Sequence, residues 1–79
     1  MIFFGNGPLA EYALAVLSRG VEVIFHARTR EDLALAVELK RESPEAVGVL
    51  ASFGVMVPGS VLEVFEPEGI LNIHPSYYS

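Results

Sequence analysis

Apolar residues arrive along this chain in short blocks, and the blocks alternate between two periods. Ile2, Phe3 and Phe4 are consecutive and are halted by Gly5-Asn6-Gly7, the pattern of a parallel strand buried on both faces. Pro8 suits the first position of a helix, where its missing N–H costs nothing. Leu9, Ala13, Val16 and Leu17 then recur at the spacing of one helical face, and Gly20 stands just past the helix end. Val21 to Ala27, rich in Val, Ile and Phe, predicts a second strand. Thr29 and Asp32 form a Thr-x-x-Asp signature close to a capping box, opening a second helix. Leu33, Ala36, Val37 and Lys40 mark the inner face and edge of that helix, and Ser43-Pro44 closes it. Ala46 to Ser52 predicts a third strand, buried on both faces. Pro58 opens a short helical stretch with Val61, Leu62 and Phe65; Glu66 to Gly69 is a turn, and Ile70 to Ile73 a fourth strand.

This alternation predicts an α/β fold: a Rossmann-like, mostly parallel sheet of about four strands with flanking helices, one domain over residues 1–79. Ligands of such sheets bind beyond the carboxyl ends of the strands. Gly5-Asn6-Gly7, His26, Phe53-Gly54 and Asn72-Ile73-His74 all fall at that edge.

Composition narrows the partners. With 79 residues, 52% apolar and 19% charged, the chain is globular and sized for one small domain. Its net charge of −5 leaves only Arg28 with Arg30 and Lys40 with Arg41 as basic pairings. Firm nucleic-acid binding needs more phosphate-neutralising charge, so only weak RNA binding is expected. The longest uncharged apolar run, Val47 to Leu62, is broken by glycines, a proline and serines, and falls short of the roughly 20 residues of a membrane span. The start carries no signal-peptide pattern, so no membrane association and a cytoplasmic location are expected. There is no cysteine, and His26 and His74 are the only histidines, so no metal site is expected.

Three groups of residues carry candidate chemistry. Gly5-Asn6-Gly7-Pro8-Leu9-Ala10 fits Gly-x-Gly-x-x-Ala between a strand and a helix, where free N–H groups and the helix dipole attract an anion. A tight strand-to-helix turn selects the same residues without any ligand. The second strand ends in His26-Ala27-Arg28-Thr29-Arg30, where an NAD site would place an acid. Basic residues there permit NADP, or a solvated strand exit. Asn72 and His74 are two apart in an extended segment and so share a side. An amide N–H steadies a developing oxyanion, and an imidazole donates a hydrogen bond or moves a proton. A polar strand terminus has the same appearance.

"IFFGNGPLAEYALAVL", "GVLASFGVMVP" and "GILNIHPSYYS", in that order, resemble the amino-terminal domain of the folate-dependent formyltransferases. The resemblance covers almost the whole chain. It is greatest to the methionyl-tRNA branch, with the phosphoribosylglycinamide branch of purine synthesis as the alternative, and Asn-x-His-Pro-Ser is its most specific motif. It implies transfer of a formyl group from 10-formyltetrahydrofolate to an amine, that of initiator methionyl-tRNA in translation initiation. Asn72 and His74 would correspond to two members of a catalytic Asn, His and Asp trio, Asn72 binding the formyl oxygen and His74 stabilising charge and assisting proton movement. Phe53, Gly54, Val55 and Met56 match the segment lining the folate pocket. Gly5, Asn6 and Gly7 match the loop on the acceptor side.

The departures from the family also carry expectations. The family's aspartate follows downstream of the motif, beyond Ser79. The chain therefore reads as a partial domain, expected to be inactive or nearly so by itself, because one member of a cooperating trio is missing. Its apolar bias and an exposed sheet edge add self-association to the expected partners.

Overall fold

The computed structural model describes residues 1–73. The elements follow in the order β1 (Ile2–Phe4), α1 (Pro8–Leu17), β2 (Phe25–Ala27), α2 (Asp32–Glu42), β3 (Gly48–Ala51), α3 (Gly59–Val64) and β4 (Ile70–Ile73). The four strands form one all-parallel sheet in the order β2-β1-β3-β4. The α/β, Rossmann-like architecture read from the alternation is therefore the one the chain adopts.

The strand order explains where the helices lie. From β1 the chain moves to one side to make β2, then crosses back past β1 to make β3 and continues outward to β4. Right-handed crossovers in opposite directions put their helices on opposite faces. Accordingly, Leu33 and Ala36 of α2 and Val61 and Phe65 at α3 pack with Ile2, Phe4 and Ala27 on one face. On the other face Ala10 of α1 packs with Phe3, Val49 and Ala51, joined by Ala13, Leu14, Leu17 and Ile73. Phe3 and Phe4 are both fully buried because successive residues of β1 serve the two layers.

Several boundaries differ from the sequence pattern. Val21 to Ile24 lie outside β2: the parallel register pairs Ile2 with Phe25, so they fall upstream of the first residue of β1. They are held by single bonds, Ile24 N–H to the Met1 carbonyl (2.9 Å) and the Met1 amino group to the Glu22 carbonyl (2.7 Å). The inner face of α1 is Ala10, Ala13, Leu14 and Leu17, whereas Leu9 and Val16 remain exposed. Lys40, expected at the edge of the inner face of α2, is buried. Its Nζ donates to the Pro44 and Ala46 carbonyls, both at 2.6 Å, tying the end of α2 to the approach of β3.

Half of the capping box forms. The Oδ2 of Asp32 accepts the backbone N–H groups of Arg28 (2.8 Å) and Thr29 (3.0 Å), which fixes the exit of β2, while the residue capping α2 is Glu31. The N–H groups of Arg28 and Thr29 hold the Asp32 carboxyl below its usual value of 3.8. A carboxyl depressed on folding adds stability that is complete above its unfolded value and disappears as pH falls through the lower folded value. Acid titration of the folded chain should therefore show a loss of stability below about pH 4, and Asp32→Asn should flatten that part of the curve. An unchanged acid limb in the variant would show that Asp32 contributes nothing.

Candidate functional site

The carboxyl edge of the sheet is organised around the turn after β1. Gly5 N–H donates to the Ala27 carbonyl (3.0 Å), which extends the β1–β2 ladder by one rung. The next acceptor, the Gly5 carbonyl, takes a hydrogen bond from a side chain instead, with His26 Nε2 at 2.8 Å. Asn6 then bonds to both sides. Its Nδ2 donates to the Arg28 carbonyl (3.1 Å) beyond β2, and its backbone N–H donates to the Ser52 carbonyl (3.1 Å) beyond β3. This last bond spans the point where the strand order reverses, the position at which open α/β sheets bind ligands.

His26 thus acts as a clamp on the glycine turn. Its ring lies edge-on to Phe3, with centroids 5.2 Å apart. Since a carbonyl can only accept, Nε2 carries the proton toward Gly5, and the buried Nδ1 has no hydrogen-bond partner among the described residues. Arg28, one of the basic residues that permitted an NADP reading, sits 3.7 Å from Glu11 of α1, with both side chains half exposed.

The turn itself favours close approach. Gly7, at φ 89, adopts a left-handed conformation and caps α1 without any side-chain cap. The amides of Gly7 and Leu9, both exposed, find no backbone acceptor among the described residues, leaving two donors at the positive end of a ten-residue helix. Pro8 between them has no N–H.

The segment after β3 begins with Ser52, a non-glycine residue at φ 55. That left-handed residue turns its carbonyl to Asn6 and ends the strand. Phe53 packs half-buried against Phe4, with ring centroids 6.1 Å apart. A Cβ added to Gly54 would lie 3.8 Å from Asn6 Oδ1, so Gly54 lies near the glycine turn that the Asn6–Ser52 bond already joins to this loop. Val55 is half-buried against the α2–α3 core, and Met56 is 85% exposed. Of the four residues expected to line a folate pocket, Gly54 lies near the glycine turn, Phe53 and Val55 face the core, and Met56 extends into solvent.

Asn72 lies on β4 in register with Leu50 of β3, one residue before the strand ends, and it is exposed. Alternation places Ile70 and Asn72 on the sheet face of α2 and α3, and Leu71 and Ile73 on the face of α1. His74 lies outside the described residues. Among the described residues no group of His, Cys, Asp and Glu could hold a metal ion, and no helix is long and apolar enough to cross a membrane.

The structure brings together Gly5, Asn6, Gly7, Phe53 and Gly54, with Asn72 one strand further along the same edge. The sequence pattern put His26 at this edge without its bond to Gly5, and it overlooked Ser52. The clue to Ser52 was positional: a polar residue between the apolar run of β3 and Phe53-Gly54 marks the strand exit. Comparison of the chain with protein-family models, curated protein sequences and solved structures finds no match.

Proposed function

We propose that this chain carries donor-side and acceptor-side residues of a formyl-transfer site of the folate-dependent formyltransferase type. The parent reaction moves a formyl group from 10-formyltetrahydrofolate to the amine of initiator methionyl-tRNA. The observation that carries the reading is the joining of the loops after β1 and β3 at one sheet edge, with Asn72 on the neighbouring strand. Asn6 joins Ser52 across the reversal point, Gly54 lies near Asn6, and Asn72 stands on the strand beside them.

The chemistry asked of these residues is modest. The acceptor amine attacks the formyl carbon, a new C–N bond forms, and the carbonyl electron pair moves to oxygen. An amide N–H from Asn72 donates to that oxygen as it becomes anionic. The intermediate then expels the folate N10, which takes a proton as the C–N10 bond breaks. His74 is the group proposed to assist that proton transfer. The free amides at Gly7 and Leu9 offer an anion site for a phosphate of the acceptor. An acceptor of the glycinamide ribonucleotide type would use the same donors.

Binding isolates the donor side from turnover. The chain should bind 10-formyltetrahydrofolate more tightly than tetrahydrofolate. Asn72→Ala should remove most of that difference, roughly up to tenfold for one hydrogen bond, while leaving tetrahydrofolate affinity unchanged. Calorimetry with both ligands provides the comparison. No binding of either ligand, or an equal loss of both in the variant, rules the assignment out.

A further inference from the structure

An all-parallel sheet is normally covered on both faces and protected at its edges, and this one is so protected on one side only. Its β2 edge is three residues long and leads directly into the Arg28–Glu11 ion pair. Its β4 edge is Ile70-Leu71-Asn72-Ile73, with no charged side chain and no neighbouring strand among the described residues. Leu71 in that strand is 63% exposed on the face of α1.

Beside it, α1 and β4 enclose a groove of about 270 Å³ lined by Leu9, Tyr12, Ala13, Val16, Leu17 and Ile73. The helix is therefore apolar over a wider arc than the sheet uses: Ala10 and Leu14 serve the core, whereas Leu9, Tyr12 and Val16 serve only the groove. No charged side chain enters this lining among the described residues, although the chain carries ten acidic residues. Docking through this surface therefore asks for apolar side chains and a strand edge, and places no like charges of a −5 chain face to face.

A second copy offers all of these. We propose that the chain forms a two-fold dimer in which β4 pairs antiparallel with β4 of another copy, extending the sheet across the seam. Opposed residues of antiparallel strands point to the same face, so Leu71 and Ile73 of both copies gather on the α1 face. Leu71 of each copy then reaches the groove of the other, the reciprocal arrangement a two-fold interface requires. Backbone pairing satisfies the edge, and the leucine exchange covers the exposed face. This inference is independent of the formyl-transfer reading.

Sedimentation equilibrium over a wide concentration range tests it, with wild type, Leu71→Lys and Val16→Lys compared and folding of each checked by circular dichroism. Wild type should show a reversible monomer–dimer equilibrium, and each folded lysine variant should associate at least tenfold more weakly. Val16, exposed on α1, keeps the test decisive if the strand variant fails to fold. A wild-type monomer at every concentration, assembly beyond a dimer, or undiminished association in a folded variant would overturn the proposal.

Discussion

Phe65→Ala should leave the chain barely folded at room temperature. Phe65 is fully buried just past α3, and its ring stands edge-on to Phe4 with centroids 5.6 Å apart. A Cβ on Gly48 would come within 2.8 Å of the same ring, so β3 passes directly against it. Lys40 Nζ lies 5.6 Å from its centroid on the α2 side. One side chain therefore joins β1, β3, α2 and α3. Truncating a buried Phe to Ala costs about 3–5 kcal/mol through lost transfer energy and the cavity left behind. A chain of this length has roughly 4–12 kcal/mol of total stability at typical per-residue values. Thermal unfolding should fall by roughly 20 °C or more at the few degrees per kcal/mol of a domain this small, whereas Phe65→Leu should fall by much less. A melting temperature within a few degrees of wild type in Phe65→Ala would mean that the α2–α3 layer is not held by this contact.

Gly5→Ala should be nearly as damaging, and it acts on the site directly. The added Cβ would collide with the Ala51 backbone carbonyl, and would lie 2.8 Å from the Ala10 Cβ and 3.0 Å from the Phe3 ring. The carbonyl belongs to β3 and Ala10 to the buried face of α1, so neither can withdraw without moving its element. Overpacking of this kind costs about 1–3 kcal/mol and at times more, and the upper end applies where the obstacle is backbone. Relief of the clash requires displacement of the turn, which would break the bonds of Gly5 and Asn6 to β2 and Ser52. Thermal unfolding together with folate binding provides the measurement. The variant should lose stability and bind at least tenfold more weakly even where it remains folded. Wild-type binding would show that the glycine turn has no part in the site.

The layers were legible because their signals are local. Ile2-Phe3-Phe4 followed by two glycines and a proline can hardly be anything but a buried strand entering a helix. The Leu33, Ala36, Val37 and Lys40 spacing likewise marked the inner face and edge of α2, although the lysine is buried, its amine meeting two carbonyls. Register and cross-strand bonding were not legible. Val21 to Ile24 have strong strand composition, yet pairing is decided by where β1 begins. On α1, the period marked a face of Leu9, Ala13, Val16 and Leu17, and the buried face takes Ala10 and Leu14 in place of Leu9 and Val16 because Ala10 lies close against Gly5. Of the candidate site, the loops were visible as glycines at strand ends. The bonds that fix them, from His26 to Gly5 and from Asn6 to Ser52, join residues far apart in sequence and have no local pattern.

The central claim is that one edge of the sheet receives the formyl donor, and amide chemical-shift mapping during titration with 10-formyltetrahydrofolate tests it most directly. The account predicts saturable shifts at Asn6, Phe53, Gly54 and Asn72, with the amides of Val21, Glu22 and Val47 at the opposite edge unmoved. Shifts confined to that opposite edge or to the α1–β4 groove, or none at saturating ligand, would contradict it.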